Sequence, residues 1–291
     1  MAKARQPAGS GPEGASDANA SSRRTSNIDT LTVTGFGDEW AAFDQSILPE
    51  EERKRLFHGY FSIFPFEDLP PNAAGFDLGC GSGRWASMIV HRVGKLHCID
   101  PAEKALEVAR RNIPGGIFHL ADANSIPLPD SSQDFGYSIG VLHHVPDTQG
   151  ALDACVRKLK PGAPFLVYLY YAFDNRPAWF RLVWAVSDKL RQAICRLPFP
   201  VKRRVTDALA WTIYWPLSRA SRVFGPNFPL YAYRDSSMYS LRTDSLDRFG
   251  TRLEQRFTKN QVREMMTNAG LTDIHFSEEI PYWTAVGFKK P

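Results

Sequence analysis

The sequence predicts an α/β fold, a doubly wound and mostly parallel sheet of seven strands. From residue 74 onward, short apolar runs alternate with amphipathic helical stretches, the pattern of a parallel sheet with right-handed crossovers. A glycine-rich turn follows the first run and opens a helix. The last two runs, 271–276 and 282–288, lie close together, which predicts an antiparallel hairpin that puts an antiparallel C-terminal strand at the sheet edge.

The composition excludes several classes of protein. Of the 291 residues, 43% are hydrophobic and 23% are charged, which excludes whole-chain disorder and collagen-like repeats. The four cysteines include no CxxC pair, so a disulfide-stapled miniprotein and a zinc ribbon are excluded. No metal site is predicted. The net charge of +4 is too weak to demand nucleic acid as the partner, and nucleic-acid binding is not expected.

The chain divides into three parts. Residues 1–30 lack any large aliphatic side chain before Ile28, so we expect a disordered tail. Residues 31–171 and 241–291 are expected to form the main domain, and residues 172–240 a helical insertion. No apolar run approaches the roughly 20 residues of a membrane span, and the N-terminus lacks the apolar core of a secretory signal. We therefore expect a cytoplasmic protein with reduced thiols.

Helical spacing dominates the region before the sheet. Leu56, Tyr60 and Phe61 recur on one helical face, and Pro70-Pro71 ends any helix there. Within the alternating region, the stretch Pro101–Asn112 predicts a helix with proline near its first turn. The expected parallel strands are 74–78, 96–99, 117–120, 135–139 and 165–171. The last of these is apolar throughout, as a strand buried on both faces should be.

The C-terminal helix has clear boundaries in the sequence. Thr258 and Gln261 form a capping box, and Phe257 and Val262 are spaced as a hydrophobic staple. Gly270 is expected to end the helix.

The insertion does not follow the alternation of strands and helices. It contains four of the seven tryptophans. Between residues 176 and 222 it has ten basic residues and only two acidic ones, Asp188 and Asp207. Basic residues among aromatic and aliphatic ones suit a helical lid over a ligand pocket. They also suit a lid that touches a lipid-linked substrate at a membrane surface, where the protein would be peripheral. RNA binding is the third interpretation, because no RNA-module signature accompanies them.

The glycine-rich turn has the spacing GxGxG. Gly79, Gly81 and Gly83 remove side chains, so that a ligand could approach the backbone. A dinucleotide fingerprint would place its third glycine at position 84, which is Arg84. A pyrophosphate loop is therefore disfavoured, and the P-loop pattern is absent.

Acidic residues follow two of the predicted strands. Asp100, 21 residues after Gly79, ends the second strand, where a carboxylate can accept from both hydroxyls of a ribose. Asp122 follows the third strand and is placed to accept from the exocyclic amine of adenine. The carboxyl ends of strands are where open α/β sheets bind ligands. Together these residues predict a nucleoside ligand without a diphosphate.

Four features in this order resemble a known family. The segment Asp77–Gly83, Asp100, Asp122 and the stretch Gly140–Val145 resemble the class I S-adenosylmethionine-dependent methyltransferases, which have a Rossmann-like fold. The most similar branch, of methyltransferase type 11, acts on small-molecule and lipid-like acceptors, including quinone precursors. The resemblance covers Phe36–Tyr171 and Thr258–Phe288, and leaves out the tail and the insertion.

The resemblance implies roles for individual residues. The loop glycines would pack on the methionine part of S-adenosylmethionine, and Asp77 would anchor the loop or the amino group. Gly140 and Val141 would lie beside the sulfonium, and Trp40 would cover the cofactor. The residues implied to bind the cofactor are Trp40, Asp77, Gly79, Cys80, Gly81, Gly83, Asp100, Ala121, Asp122, Ala123, Gly140 and Val141.

Some of these residues also have purely structural interpretations. Asp100 and Asp122 could cap helices, Trp40 could belong to the core, and Cys80 could be a small packing residue.

Two histidines are the candidate catalytic residues. His143 and His144 lie next to the implied methyl position, and one of them, His143 slightly preferred, could serve as base or orient the acceptor. The alternative is a structural pair with one ring buried and bonded to backbone. In-line displacement at an electrophilic methyl group also requires that the acceptor be placed correctly, and placement alone needs no base.

Two other functions stay open from the sequence. One is a non-catalytic protein that binds the same cofactor and regulates a partner. The other is a nicotinamide-dependent oxidoreductase, against which Arg84 counts. The acceptor, the methylated atom and the oligomeric state are not predicted.

Overall fold

The computed structural model describes residues 27–291. The predicted tail therefore lies outside the described residues except for positions 27–30. These four belong to the folded structure. Asn27 exchanges two hydrogen bonds of 2.7 Å with the backbone of Asp147, and Asp29 accepts from Thr32 N at 2.7 Å to cap the first helix. The fold thus begins earlier than the predicted boundary at residue 30.

Seven strands form one sheet, as predicted. Their order is β3-β2-β1-β4-β5-β7-β6; strands β1 to β5 are parallel, and β7 runs antiparallel between β5 and β6. The strands are β1 Ala74–Leu78, β2 Lys95–Asp100, β3 Ile117–Leu120, β4 Phe135–Ile139, β5 Pro164–Tyr168, β6 Leu271–Phe276 and β7 Thr284–Lys289.

Helices cover both faces of the sheet. Alternate residues of β5 separate the two cores: Phe165 and Val167 belong to one cluster and Leu166 to the other. The helices are α1 Thr30–Ala42, α2 Glu50–Phe61, α3 Ala86–Ile89, α4 Glu103–Asn112, α5 Thr148–Lys158, α6 Ala178–Ile194, α7 Phe199–Leu209, α8 Trp215–Phe224, α9 Met238–Gly250 and α10 Lys259–Asn268.

Strands β5 and β7 are shorter than predicted, and β7 begins opposite the residue at which β5 ends. The last residue of β5, Tyr168, pairs with Thr284, the first residue of β7. On the other side β4 ends at Ile139, which pairs with Tyr168. Beyond Tyr168 the ladder has no partner on either side, so the chain leaves the sheet, and Tyr171 forms an isolated bridge with Phe257 instead.

The C-terminal helix has the predicted boundaries. Both hydrogen bonds of the capping box between Thr258 and Gln261 are present, and Gly270 has a φ of 93°. Phe257 and Val262 pack in the same cluster, which secures the entry to α10.

The insertion folds as helices that pack on α9. A π-helical segment at 210–214 joins α7 to α8, and Ile194, Ala210 and Tyr214 share a core with Leu241 and Phe249 of α9. We call residues 172–250 the cap, because the predicted boundary at residue 240 falls inside α9. Among the helices of residues 27–291, none has the length and apolar character needed to cross a membrane.

Candidate active site

One cavity of about 930 Å³ lies between the carboxyl ends of the strands and the cap. The turns after β1, β2, β3 and β4 and the end of β5 form one wall. The cap forms the other, with side chains from α6, from the π-helical segment, from a 3₁₀ turn at Tyr231–Tyr233 and from α9. The position is the one where parallel α/β sheets bind ligands.

The glycine loop is held by backbone hydrogen bonds. Gly79 N donates to Ile99 O at 2.7 Å, and Gly81 N donates to Asp100 Oδ2 at 2.9 Å. Gly79, Gly81 and Gly83 have φ values of 79°, 53° and 78°, a region that side chains disfavour. The loop therefore needs glycine for its conformation.

The positions that a side chain would occupy at the loop glycines are filled by other side chains, although Gly79 and Gly81 themselves line the cavity. A Cβ at Gly79 would lie 2.3 Å from the Val141 side chain, and one at Gly83 would lie 2.4 Å from Ile113. Gly83 packs on α4 and does not line the cavity. Gly140 is different: it lines the cavity, and a Cβ there would meet no atom within 4 Å.

Asp100 is buried and connects three parts of the site. Its Oδ2 holds the loop at Gly81, its Oδ1 accepts from Ala102 N at 2.8 Å before α4, and the residue lines the cavity. Burial raises the pKa of Asp100 to about 6, although the two backbone N–H groups oppose the shift. Asp100 therefore fixes the turn before α4 and also lies on the cavity wall, but it does not cap α4, which has no side-chain N-cap.

Asp122 lies on the cavity wall together with Ala123, whereas Ala121 does not line the cavity. Asp122 Oδ1 accepts from Asn124 N and from Ser125 Oγ, each at 2.8 Å, so the Asp122 carboxylate is held in a tight turn.

Asp77 does not lie on the cavity wall, where its implied role would have placed it. It is 1% exposed, burial raises its pKa well above the usual range, and its Oδ2 has no hydrogen-bond partner among residues 27–291. Tyr137, its register neighbour on β4, lies beside it, but the Tyr137 hydroxyl is also left without a well-formed hydrogen bond.

Cys80 lines the cavity and is buried. A hydrogen bond with Cys98, together with burial, raises the pKa of its thiol well above the usual value. A neutral thiol fits a packing role better than a reactive one.

Trp40 of α1 covers the loop. A Cβ on Gly81 would lie 2.8 Å from Trp40 Nε1, and the Arg84 guanidinium lies 5.4 Å from the Trp40 ring and 5.3 Å from the Trp85 ring. Arg84 Nε also donates to Gln45 Oε1 at 2.9 Å. The residue that replaces the third fingerprint glycine therefore holds α1 against the loop.

His143, the slightly preferred catalytic candidate, does not line the cavity. It is fully buried, its ring stacks on Tyr170 at 3.8 Å, and its Nδ1 accepts from Tyr170 N at 3.3 Å. Burial pushes its pKa well below the usual value. The structure thus makes His143 a structural residue, because no acceptor in the cavity reaches it.

His144 does line the cavity. Its Nδ1 lies 2.7 Å from Leu253 O, and since a carbonyl oxygen only accepts, Nδ1 carries the hydrogen. Burial lowers the pKa of His144, so the ring is neutral and its Nε2 is an acceptor. Among residues 27–291, Nε2 has no hydrogen-bond partner.

Sequence reasoning missed two acids on α9. Asp244 and Asp247 lie one turn apart, and both line the cavity. The Tyr233 hydroxyl donates to Asp244 Oδ1, and the Tyr170 hydroxyl donates to Asp247 Oδ2 at 2.6 Å. We call these four residues and His144 the acceptor chamber.

The two acids lack counter-charges at close range. Within the described part of the chain, no basic nitrogen lies within 4 Å of either carboxyl group, and Asp247 Oδ1 has no hydrogen-bond partner. Burial raises the pKa of Asp244 to about 7 and also raises that of Asp247.

The arginines nearby are compensated. Glu254 is 3.1 Å from Arg248 and 2.8 Å from Arg256, so a local carboxylate balances these cations. A helical Asp-x-x-Asp spacing is visible in the sequence. However, its tyrosine partners are 77 and 11 residues away, so nothing local marked it as a site.

Comparison with known proteins agrees with this geometry. Residues 76–167 match the model of a methyltransferase domain family. An uncharacterised methyltransferase of Mycobacterium tuberculosis is 30% identical over 142 residues, 47% of this chain and 57% of that protein. The trans-aconitate 2-methyltransferase of Sinorhizobium fredii is 27% identical over 238 residues, 75% of this chain and 90% of that enzyme.

The match to the mycobacterial relative spans little more than half of that protein's length. Among solved structures, a protein of Bordetella parapertussis shares the fold, with a TM-score of 0.50 and 18% identity over 84% of this chain and 71% of that one. Residues 76–167 therefore form a methyltransferase domain, and the matches together support a class I S-adenosylmethionine-dependent methyltransferase, a class whose cofactor is S-adenosylmethionine.

The residues present fit this cofactor. The cavity is at the upper end of the usual volume range for ligand sites, so it has room for a cofactor and an acceptor. Open space beside Gly140, a loop held by backbone bonds, and acids after β2 and β3 provide a cradle for an adenosine.

Proposed function

We propose that this protein transfers a methyl group from S-adenosylmethionine to a small molecule, or to the polar head of a lipid-linked molecule, inside the cavity. One observation carries the proposal: a single cavity joins the strand-end residues to the acceptor chamber under the cap. Such an arrangement holds two reactants in one enclosed space, which is the main requirement of this chemistry.

The strand ends would hold the cofactor, which supplies an electrophilic methyl group when bound. Asp100 would accept from the ribose hydroxyls with the lone pairs that its backbone contacts leave free, and Asp122 with Ala123 would receive the adenine. Gly140 and Val141 would line the reacting end, and Trp40 would close over the loop.

The acceptor chamber favours a hydroxyl or an amine as the methylated group. Asp244 and Asp247 have no cation within 4 Å in the described structure, so a carboxylate acceptor beside them would find no close positive charge to pair with. An amine or a hydroxyl can instead donate a hydrogen bond to either carboxyl group. This differs from the trans-aconitate relative, whose named substrate is a carboxylate.

Asp247 would take the proton that the acceptor loses. Its free Oδ1 can accept a hydrogen bond, while the Tyr170 hydroxyl holds the other oxygen at 2.6 Å. A base with a raised pKa is suited to proton transfer near neutral pH. His144, with an unprotonated Nε2, would orient the acceptor from the sheet side.

Methyl transfer from isotopically labelled S-adenosylmethionine tests the proposal. The acceptors would be a metabolite extract and a panel of amines, phenols, alcohols and carboxylates that includes trans-aconitate. We expect labelled amine or hydroxyl products. Labelling of carboxylates alone would contradict the chamber assignment. Tight S-adenosylhomocysteine binding with no labelled product would favour a non-catalytic, regulatory protein.

A further inference from the structure

The cap exposes an unusual number of large apolar side chains. Fifteen such side chains are exposed within residues 27–291, and eleven of them lie between residues 178 and 224. We call ten of these the apolar cap face: Trp179, Leu182, Val183, Val186 and Leu190 of α6, with Trp211, Ile213, Trp215, Val223 and Phe224. Large exposed apolar side chains concentrated in one part of a fold mark an interaction site.

Helix α6 is amphipathic with its apolar stripe turned outward. Its exposed members recur at spacings of three and four residues from Trp179 to Leu190, and Leu182 and Val186 are each 66% exposed. A helix that packs on a core normally buries such a stripe. Here the buried side includes Arg191, which donates to Thr251 O and Arg252 O at 2.8 and 3.0 Å.

The charges around the face are basic. Arg181, Lys189, Arg196 and Arg204 are exposed, and no carboxylate lies within 4 Å of them in the described part of the chain. The two acids of these helices are already paired, Asp188 with Arg191 at 2.7 Å and Asp207 with Arg242 at 2.8 Å. The free charge beside the apolar face is therefore positive.

The face is continuous with the cavity. Val183 and Ile213 are exposed members of the face and also line the cavity, together with Phe180 and Leu217. A molecule with an apolar chain could therefore contact the face and the cavity at once.

We propose that the apolar cap face docks on the surface of an anionic lipid bilayer. Tryptophans suit the boundary between headgroups and acyl chains, aliphatic side chains suit the layer below, and basic groups suit anionic headgroups. The protein would lie on the membrane. This inference concerns the surface alone and does not depend on methyl transfer.

A second copy of the chain fits this face less well. In a symmetric dimer the same patch meets itself, so the unpaired basic residues of one copy would approach those of the other. A bilayer with anionic lipids offers the opposite charge over the whole face.

Co-sedimentation of the full chain with lipid vesicles, in the absence of cofactor, tests the proposal. The vesicles would be phosphatidylcholine alone, and phosphatidylcholine mixed with phosphatidylglycerol. One variant replaces Leu182→Gln and Val186→Gln, which do not line the cavity. The matched control replaces Leu31→Gln and Ile47→Gln, which are 57% and 69% exposed outside the cap. A charge variant replaces Arg181→Gln, Lys189→Gln and Arg204→Gln.

We expect the wild type and the control to bind mixed vesicles, more weakly at high salt. The Leu182 and Val186 variant should lose about tenfold or more in partitioning. The charge variant should lose the preference for phosphatidylglycerol. Equal binding by the apolar variant and the control would overturn the proposal. A wild type that binds neither kind of vesicle would also overturn it. This includes a wild type that forms a dimer which the Leu182 and Val186 changes dissociate.

Discussion

The two walls of the cavity are built in different ways. The strand-end wall consists of short local segments whose backbone is fixed by nearby bonds, as in the contact from Gly81 N to Asp100 Oδ2. The cap wall depends on contacts between distant segments, as in the bond that joins Tyr170, after β5, to Asp247 of the cap, 77 positions apart. The proposed cofactor wall thus follows short motifs, whereas the proposed acceptor wall depends on tertiary packing.

Removal of the proposed base should impair the chemical step and leave cofactor binding intact, and this is the strongest effect that we expect. Asp247→Asn should lower kcat by about 100-fold or more, because general-base catalysis typically contributes that much. The affinity for S-adenosylhomocysteine should stay within about twofold. Kinetics with labelled cofactor and calorimetry would measure both.

The control for this variant is Asp273→Asn on β6, an exposed acid away from the cavity. It should leave kcat and cofactor affinity as they are. A normal kcat in Asp247→Asn would remove Asp247 from its proposed role.

On the strand-end wall, Asp100→Ala should weaken cofactor binding by about 1–3 kcal/mol, the cost of leaving buried polar partners unpaired. It should also lower the melting temperature, because Gly81 N and Ala102 N lose their acceptor. Calorimetry with S-adenosylhomocysteine and thermal unfolding would show both effects. An unchanged affinity would contradict the assignment of Asp100 to the ribose.

The pH dependence of stability sharpens the description of the cap wall. The pKa of Asp244 is about 7 in the folded protein, whereas the ordinary pKa of an aspartate is 3.8. Between these values the unfolded chain binds fewer protons than the folded one, so this group makes stability fall as pH rises. Relative to the wild type, Asp244→Asn should therefore gain stability from pH 5 to pH 7, by roughly 1–3 kcal/mol.

Urea unfolding at pH 5, 7 and 8 would measure this gain, which should level off above pH 7. A difference between variant and wild type that is constant across the three pH values would mean that Asp244 is not held protonated.

The smallest expected effect concerns the N-terminus. Removing residues 1–26 leaves Asn27 and Asp29, whose contacts anchor the start of the fold. The melting temperature should change by less than about 2 °C, because the removed part lacks large aliphatic residues. A drop of several degrees would show that this part packs on the domain.

Strands such as β1, which Gly79 follows, and β4, which lies between Asp134 and Gly140, were predictable because each is a short, mainly apolar run bounded by glycine or acidic residues. The ends of β5 and β7 were less predictable, since the end of a ladder depends on where its partner stops. His143 and His144 are adjacent in sequence, yet only His144 lines the cavity. The direction of each ring is fixed by Tyr170 and Leu253, which no local pattern reveals.

A crystal structure with S-adenosylhomocysteine would show whether one cavity holds both reactants as proposed. We expect the adenosine against Asp100 and Asp122, and the sulfur beside Gly140, facing Asp247 across free space. A ligand whose amino-acid end fills the acceptor chamber, or one bound away from the glycine loop, would contradict it.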